Sequence, residues 1–575
     1  DVYKRQLESG ESGDGYIDNV NLGDQGDTET TLARLSAVWE PTDKIAITAK
    51  YNYADYELHG QTAEATNGFA SSFDNGDGEL DWNNSGIGEL LPLLAPISQH
   101  DLKKPGSEQE VNNFALNVDY ALGEHTLTGL FGYSDYDYSL STDLDGVAFA
   151  GGGAPGLSLD AMSYEEYEQT SAELRLTSPG GETVDYVVGI YYQDSDLTSD
   201  QPNIYQLPDF AWGGPVTLLE RGNNIFEQDA TLWSGFVSLT WNMTDDFRLI
   251  GGGRYSDDDK DWSRFSICQH SFDGGASWAP AEFNAIACAQ ASNQKGNVSS
   301  DNFMPEIVAQ YDWGDDTMVY AKYSESAKSG GAATGTSIGD GNLIYDDETA
   351  KGFEVGLKTS FADGMAELNV VAFYTEFDDL QVKASFVEDF QVFTEIGNAG
   401  EATTQGIEID GRWAATDWLT MGGAVAYLDA EYDDFKGAAC DNSGTLPEMP
   451  NGAGCDASGQ DLPFSPEWTG SVFADVVFPL TSGLNLVGNV TASYSDEYLT
   501  DGTLDPRQTQ DSYTKYDASL GLEASSGQWN VSVIGKNLSD EEINMSGQQL
   551  GAYDIGYLMP PRLVVVQATW RFGNF

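Results

Sequence analysis

Leu484-Asn485-Leu486-Val487-Gly488-Asn489-Val490-Thr491-Ala492-Ser493-Tyr494, entered through the tight Thr481-Ser482-Gly483, is the stretch that decides the fold. Leu484, Leu486, Val490, Ala492 and Tyr494 alternate with Asn485, Asn489, Thr491 and Ser493. A period of two sends the two sets to opposite faces of a strand. One apolar and one polar face means an antiparallel sheet, because parallel strands buried on both faces read as continuous apolar runs. The texture recurs outward along the chain. Leu520 and Leu522 alternate with Ser519, Gly521 and Glu523; Ile407, Ile409 and Trp413 alternate with Glu408, Asp410 and Arg412; Leu127, Phe131 and Tyr133 interleave with Thr126 and Thr128.

The connections between such stretches sort into two kinds. Tight turns recur at Pro41-Thr42-Asp43, Gly123-Glu124, Pro179-Gly180-Gly181, Thr244-Asp245-Asp246, Gly314-Asp315-Asp316, Ala362-Asp363-Gly364, Thr416-Asp417 and Ser525-Ser526-Gly527. Gly, Asp and Pro supply the backbone angles that short hairpins need. Between successive tight turns lie long polar segments, around 59–107, 143–160, 200–216, 257–299, 333–346, 437–462 and 500–511. Strand, short turn, strand, long loop, repeated roughly nine times, is the pattern of an outer-membrane β-barrel, with short turns at one rim and long loops at the other. Sandwiches and propellers also alternate in period two, but nothing in them segregates short from long connections so regularly.

Composition narrows the rest. The 575 residues carry 93 Asp+Glu against 26 Lys+Arg, a formal net charge of −67, so the clustered cations that nucleic acid requires are missing. At 40% hydrophobic and 12% aromatic residues the chain can bury ample surface, which excludes disorder. No apolar run exceeds about five residues, against the 18 or more of a membrane-spanning helix. The four cysteines, Cys268 with Cys288 and Cys440 with Cys455, lie 20 and 15 residues apart in polar loops without a CxxC. They read as two loop disulfides in an oxidising compartment rather than as a metal site. The acidity would repel anionic lipopolysaccharide unless divalent cations bridge the two, and it also fits life in salty water, where such fields are screened.

Candidate chemical motifs dissolve in context. Gly151-Gly152-Gly153-Ala154-Pro155-Gly156 fits GxGxxG but follows an alternating, acidic segment instead of a buried parallel strand. Gly335-Thr336-Ser337-Ile338-Gly339 fits GxSxG, yet all four histidines (His59, His100, His125 and His270) precede Ser337, whereas a nucleophile elbow needs its histidine downstream. Asp257, Asp258, Asp259 and Asp261, and Asp378 with Asp379, offer hard oxygens to a divalent cation but lack the EF-hand spacing, and read as solvated strand ends. No catalytic constellation emerges. The closing Leu563–Phe572 puts Val564, Val566, Ala568, Trp570 and Phe572 on one face and Gln567, Thr569 and Arg571 on the other, as an aromatic girdle strand would. Leu520, Leu522, Trp570 and Phe572 are therefore expected to face lipid, with Glu523, Gln567 and Arg571 facing the lumen.

An ordered series of segments then resembles the C-terminal β-barrel of TonB-dependent outer-membrane receptors. It comprises Tyr320-Ala321-Lys322-Tyr323-Ser324-Glu325-Ser326-Ala327-Lys328-Ser329-Gly330-Gly331 and Phe353-Glu354-Val355-Gly356-Leu357-Lys358. Ala372-Phe373-Tyr374 with Asp378-Asp379-Leu380-Gln381 follows, then Asn398-Ala399-Gly400 with Gly406-Ile407-Glu408, and finally Gly535-Lys536-Asn537-Leu538-Ser539-Asp540-Glu541. The resemblance implies an all-β barrel of roughly 22 antiparallel strands, plugged by an N-terminal domain that contacts the TonB complex. It also implies energised uptake of a bulky nutrient across the bacterial outer membrane, above all a ferric siderophore, with no enzymatic activity and no cofactor. A glycan or vitamin receptor of the same family, with stacking on Trp82, Trp212 or Trp278, and a plug-less passive pore are the alternatives. About 19 strands are countable over 28–575, the first, Thr31–Trp39, running into the short turn at Pro41. Parity then makes 1–27 an extracellular loop remnant after a strand not in this sequence, and predicts that this stretch alone does not transport.

Overall fold

The structure is a computed structural model that describes residues 2–13, 17–19, 23–25, 27–60, 63–67, 106–143, 158–207, 218–271, 279–280, 292–334, 343–388, 391–440, 444–450, 454–549 and 554–571. Its long strands are β1 (Val2–Gly13), β2 (Asp27–Thr42), β3 (Ile45–His59), β4 (Gly106–Leu122) and β5 (His125–Asp143). They continue as β6 (Ser158–Thr177), β7 (Val184–Leu207), β8 (Leu218–Asn242), β9 (Phe247–Ser271) and β10 (Ser292–Asp312). Next come β11 (Thr317–Lys328), β12 (Glu348–Phe361), β13 (Ala366–Glu388), β14 (Gln391–Thr416) and β15 (Leu419–Asp434). The series closes with β16 (Trp468–Thr481), β17 (Leu484–Ser495), β18 (Tyr513–Ala524), β19 (Trp529–Lys536) and β20 (Leu563–Trp570).

Every ladder between successive members is antiparallel, from the pairing of β1 with β2 to that of β19 with β20. They belong to one 21-stranded sheet. Leaving out β1 and the two-residue piece Ala279–Pro280, nineteen long strands remain, as the alternation anticipates. Among the described residues no ladder joins β1 to β20. Above that seam, a small three-stranded sheet pairs Asn544–Gln549 with Asp554–Leu558, and the latter with Ala63–Asn67. It ties the β19–β20 loop to the segment that follows β3.

Which face meets lipid is written in exposure. Ile190 on β7, Val237 on β8, Phe303 on β10, Val355 on β12 and Val566 on β20 are 57%, 41%, 63%, 61% and 69% exposed. Apolar side chains left so open on every second residue form an outward band, and their alternate neighbours point into the lumen. Leu520, Leu522 and Trp570 lie in that band, because Leu520 pairs with Val533 and Val533 with Val566. Phe572 lies outside the described residues.

Two sequence expectations differ from the structure. Residues 1–27 were expected to be loop, but Val2–Gly13 pairs residue for residue with β2, Val2 opposite Trp39 and Gly13 opposite Thr28. The segment shows little apolar alternation; the open backbone edge of β2 draws it into the ladder. With that strand added, Val2 and the end of β20 both lie at the short-turn rim. Parts of the 200–216 and 257–299 loops are also strand, since β7 runs to Leu207 and β9 to Ser271. Ladder hydrogen bonds persist beyond the apolar band, where side-chain hydrophobicity no longer marks them.

Candidate functional site

The long-loop rim is where the chain builds a mouth. On β8 and β9 the even-numbered residues face the lumen, and on β10 likewise; these strands carry Asn224, Phe226, Lys260, Trp262, Arg264, Val298, Ser300 and Asn302 inward. The β11–β12 loop folds onto them. Lys260 Nζ donates to the Gly330 carbonyl at 2.7 Å, Asn224 Nδ2 to the Thr334 carbonyl at 2.8 Å, and Asn302 Nδ2 to Asp347 at 2.9 Å. Phe226, Trp262, Ala332 and Leu343 pack as one apolar cluster with Leu197, Val298 and Ile344 around it. A polar loop whose carbonyls and apolar residues are both matched by the inner wall turns into the lumen instead of out to solvent.

Electrostatics fix the same loop. Burial acts against ionisation of Asp347, yet the Ser300 hydroxyl, the Gly330 amide, the Asn302 amide and the nearby Lys260 ammonium outweigh it, holding the carboxyl below its ordinary value. Arg264 donates through Nε to Asn224 Oδ1 at 2.6 Å, which also accepts from Ser266 at 3.1 Å. Around the wall the lumen is lined by tyrosines and polar groups. The Tyr136 and Tyr167 rings stack at 5.3 Å, Tyr136 donates to Glu165, Tyr167 donates to Gln169 at 2.6 Å, and the Arg254 guanidinium sits 5.5 Å from the Tyr191 ring centre. Such a wall offers ring faces, hydroxyls and a few cations to a polar ligand of some size.

A second buried body forms at the same long-loop rim. Ala399, Ala402, Tyr432, Phe435, Ala438, Leu446, Cys455, Ala457 and Leu504 form a buried cluster from β14, β15 and the loops after β15 and β17. Cys440 and Cys455 are joined there by a disulfide, with Cα atoms 5.1 Å apart. Cys268, near the end of β9, is also disulfide-bonded; its expected partner Cys288 lies outside the described residues. Asp501, in the loop after β17, is buried, and its carboxyl is pushed above its ordinary value by that burial and by the charge of Asp505, against the opposing donors of Thr503.

Three of the segments that carried the resemblance, around Ser329, Gln381 and Asn398, meet at this rim, while Phe353–Lys358, Ala372–Tyr374 and Gly406–Glu408 lie within the wall ladders. Gln381 Nε2 donates to the carbonyls of Ser329 and Asp346, both at 3.1 Å. Asn398 Nδ2 donates to the Asp346 carbonyl at 3.0 Å and the Asp379 carbonyl at 2.7 Å, while its Oδ1 accepts from the Asp346 amide at 2.8 Å. Asp379 holds a φ of 57°, a left-handed angle that Asp tolerates better than most residues and that turns its carbonyl toward Asn398. The Gly535–Glu541 segment makes a similar knot: Asn537, at φ 47°, donates from Nδ2 to the Glu541 carbonyl at 2.8 Å and accepts the Glu541 amide on Oδ1 at 3.0 Å, and Asp540 pairs with Arg562 at 2.9 Å.

The family described as "TonB dependent receptor-like, beta-barrel" matches residues 53–538. The chain belongs to the TonB-dependent receptor β-barrel family. The pesticin receptor of Yersinia pestis is 23% identical over 422 residues, 73% of this chain and 54% of that protein. A probable TonB-dependent siderophore receptor of Acinetobacter baumannii, PiuA, is 25% identical over 245 residues, 41% of this chain and 30% of that protein. The chain thus spans about half the length of the pesticin receptor it matches. Among solved structures, the ferric yersiniabactin uptake receptor FyuA of Yersinia pestis superposes with a TM-score of 0.72 at 19% identity, covering 99% of this chain and 75% of that one. The PiuA structure gives 0.68 at 16%, covering 99% and 77%.

The other residues singled out in the sequence are scattered over this receptor barrel. The aspartate run splits by strand period. Asp257, Asp259 and Asp261 face outward, whereas Asp258 points inward to Lys260 at 3.2 Å. Asp378 pairs with Lys351 at 2.8 Å instead of joining Asp379. Among the described residues no three such side chains converge as a metal site would require. The GxGxxG and GxSxG segments, Trp82, Trp212 and Trp278 lie outside the described residues. Sequence reasoning missed the inward β11–β12 loop, whose only local signal is the Ser/Gly/Ala composition around 329–337.

Proposed function

We propose that this barrel is the wall of an outer-membrane receptor that takes up a ferric siderophore, energised by the TonB complex through parts of the receptor other than those described here. The carrying observation is the mouth. Its inward loops and its lumen wall of Tyr136, Tyr167, Tyr191, Arg254 and Lys260 suit capture of a polar chelate larger than a simple nutrient. Pesticin, yersiniabactin and siderophore receptors among its relatives support the same substrate class. Outer-membrane lipid and lipopolysaccharide surround the wall in this reading, and no catalytic step is included. The domain assignment keeps 28–575 as the barrel and adds Val2–Gly13 as one more wall strand.

The test uses the gene encoding the whole receptor in a strain deleted for its own siderophore receptors. Radiolabelled iron is supplied on catecholate, hydroxamate and mixed-ligand siderophores, with a glycan oligomer and cobalamin as comparison substrates. Uptake of one ferric siderophore that stops on loss of TonB supports the proposal. TonB-dependent uptake of the glycan or cobalamin alone would move the receptor to the other substrate class, and uptake indifferent to TonB would make it a passive pore.

A further inference from the structure

The inner wall of β8 and β9 presents hydrogen-bond donors that the β11–β12 loop already uses. Lys260 Nζ and Asn224 Nδ2 each meet a backbone carbonyl of that loop, Gly330 at 2.7 Å and Thr334 at 2.8 Å. Arg264 and Ser266 both donate to Asn224 Oδ1, which leaves the Asn224 amide hydrogens for the loop. Beside these donors the Phe226 and Trp262 rings lie 11° from parallel with centres 6.4 Å apart, and Ala332 and Leu343 pack on them. What the wall holds is a stretch of peptide, with amide carbonyls on the donors and small or branched apolar side chains on the rings.

One donor on this wall is left over. Trp262 is only 9% exposed, and its Nε1–H has no acceptor among the described residues. A buried N–H without a partner is a cost that the loop does not relieve. The ring is seated against Gly296 on β10, where a Cβ would come 3.0 Å from Cζ2 and 3.1 Å from Nε1. Charge adds a second constraint. Lys260 and Arg264 are matched by Asp258, 3.2 Å from Lys260, and by Asp347, which lies near the same ammonium, so the wall carries no surplus charge to attract an anion. We infer that this wall is a subsite for an uncharged, amide-bearing, peptide-like arm of the incoming chelate, and that the β11–β12 loop occupies it when no ligand is bound. Ligand carbonyls replace those of Gly330 and Thr334, ligand apolar groups replace Ala332 and Leu343, and one further acceptor completes Trp262. The loop is then a built-in competitor, and the apparent affinity is the intrinsic one reduced by the fraction of receptor whose wall is vacated.

The subsite presupposes the uptake reading, so the two are tested by different measurements. The whole receptor in detergent is titrated calorimetrically with a neutral ferric trihydroxamate built on a peptide backbone and with an anionic ferric tris-catecholate. The peptidic probe is expected to bind and to speed hydrogen exchange at the Gly330 and Ala333 amides roughly 10-fold, with the β8–β10 ladders still protected. Trp262→Phe keeps the ring and removes the N–H. It should weaken the peptidic probe roughly 3- to 10-fold and leave loop exchange without probe unchanged. Ala332→Asp lifts the loop off the rings and should tighten the same probe roughly 10-fold, with Leu343→Ser as the milder change should that variant fail to fold. Peptidic binding that ignores Trp262→Phe, that weakens in both loop variants, or that leaves the loop amides protected overturns the inference. Binding of the catecholate alone overturns it too and leaves ferric siderophore uptake standing. A receptor that binds neither chelate also overturns the subsite, and the TonB-dependent uptake assay then decides the broader reading by itself.

Discussion

Replacing Asn398 by alanine removes three hydrogen bonds at once and leaves the strands untouched. Its side chain donates to two backbone carbonyls and accepts one backbone amide, tying β14 to Asp346 in the β11–β12 loop and to Asp379 in β13. The site is open to solvent, so each bond contributes in the lower part of the usual range, about 0.5–1 kcal/mol, and together about 1.5–3 kcal/mol. That corresponds to a roughly 10- to 150-fold more frequent opening of the loop. Hydrogen exchange read by mass spectrometry on the protein in detergent should show it at the amides of Gly330, Ala333 and Asp346, whose acceptors are Asp347, Leu343 and Asn398. The β16–β17 hairpin, remote from the knot, should exchange as before. Unchanged protection across 329–347 would mean that the loop is held by the Phe226–Trp262 cluster alone, and the reasoning on the knot would fail. Faster exchange throughout the barrel would show that Asn398 supports the wall instead.

Three further outcomes are expected. Replacing Cys440 and Cys455 together by serine should loosen the β15–β16 loop by about 3 kcal/mol in the chain-entropy account, seen as faster proteolytic nicking between 436 and 462 with the barrel's melting temperature unchanged. The Asp501 carboxyl is raised in the folded loop, so the native state binds its proton more tightly than the unfolded one. Its favourable contribution is present below the ordinary carboxylate value and disappears as pH rises through the folded value. Protection factors in the 496–512 loop, corrected for intrinsic exchange, should accordingly fall as pH rises above the ordinary carboxylate range in the native chain and stay flat in Asp501→Asn. Leu520→Arg on the outward face should cost about 2–4 kcal/mol of stability in a bilayer, measured by urea titration of vesicle-folded protein, whereas Ser519→Arg on the inward face of the same strand should cost far less. Equal costs would mean that the face assignment is wrong.

Of the mouth, the sequence showed where polar loops leave the wall but not which of them turn inward. Ser329, Asp346, Gln381 and Asn398 stand in four separate segments, and each alone is an ordinary polar residue near a strand end. Their meeting depends on the register of β11 to β14 and on the irregularity at Asp379, where pairing skips from Asp378 opposite Glu401 to Leu380 opposite Ala399. The same holds for Lys260 and Asn224, which hold the loop because the curl of the sheet brings its backbone within reach. Cys440 and Cys455 were legible because a disulfide leaves two matched residues in the sequence. A hydrogen bond from a side chain to a backbone carbonyl leaves one.

What the sequence determined by itself is the wall: antiparallel strands, tight turns at one rim and long loops at the other, nineteen long strands between residues 27 and 570, and the outward set containing Leu520, Leu522 and Trp570. Each of these follows from a signal repeated every second residue or from the angles a Gly or Asp permits, so local chemistry suffices to express it. Only the tertiary structure decided that Val2–Gly13 is a strand, that β7 and β9 rise beyond the apolar band, and that the β11–β12 loop descends into the lumen. Those features are made by backbone groups finding partners far away in the chain. A backbone amide or carbonyl is the same in every residue except proline, so no residue code announces where it will pair.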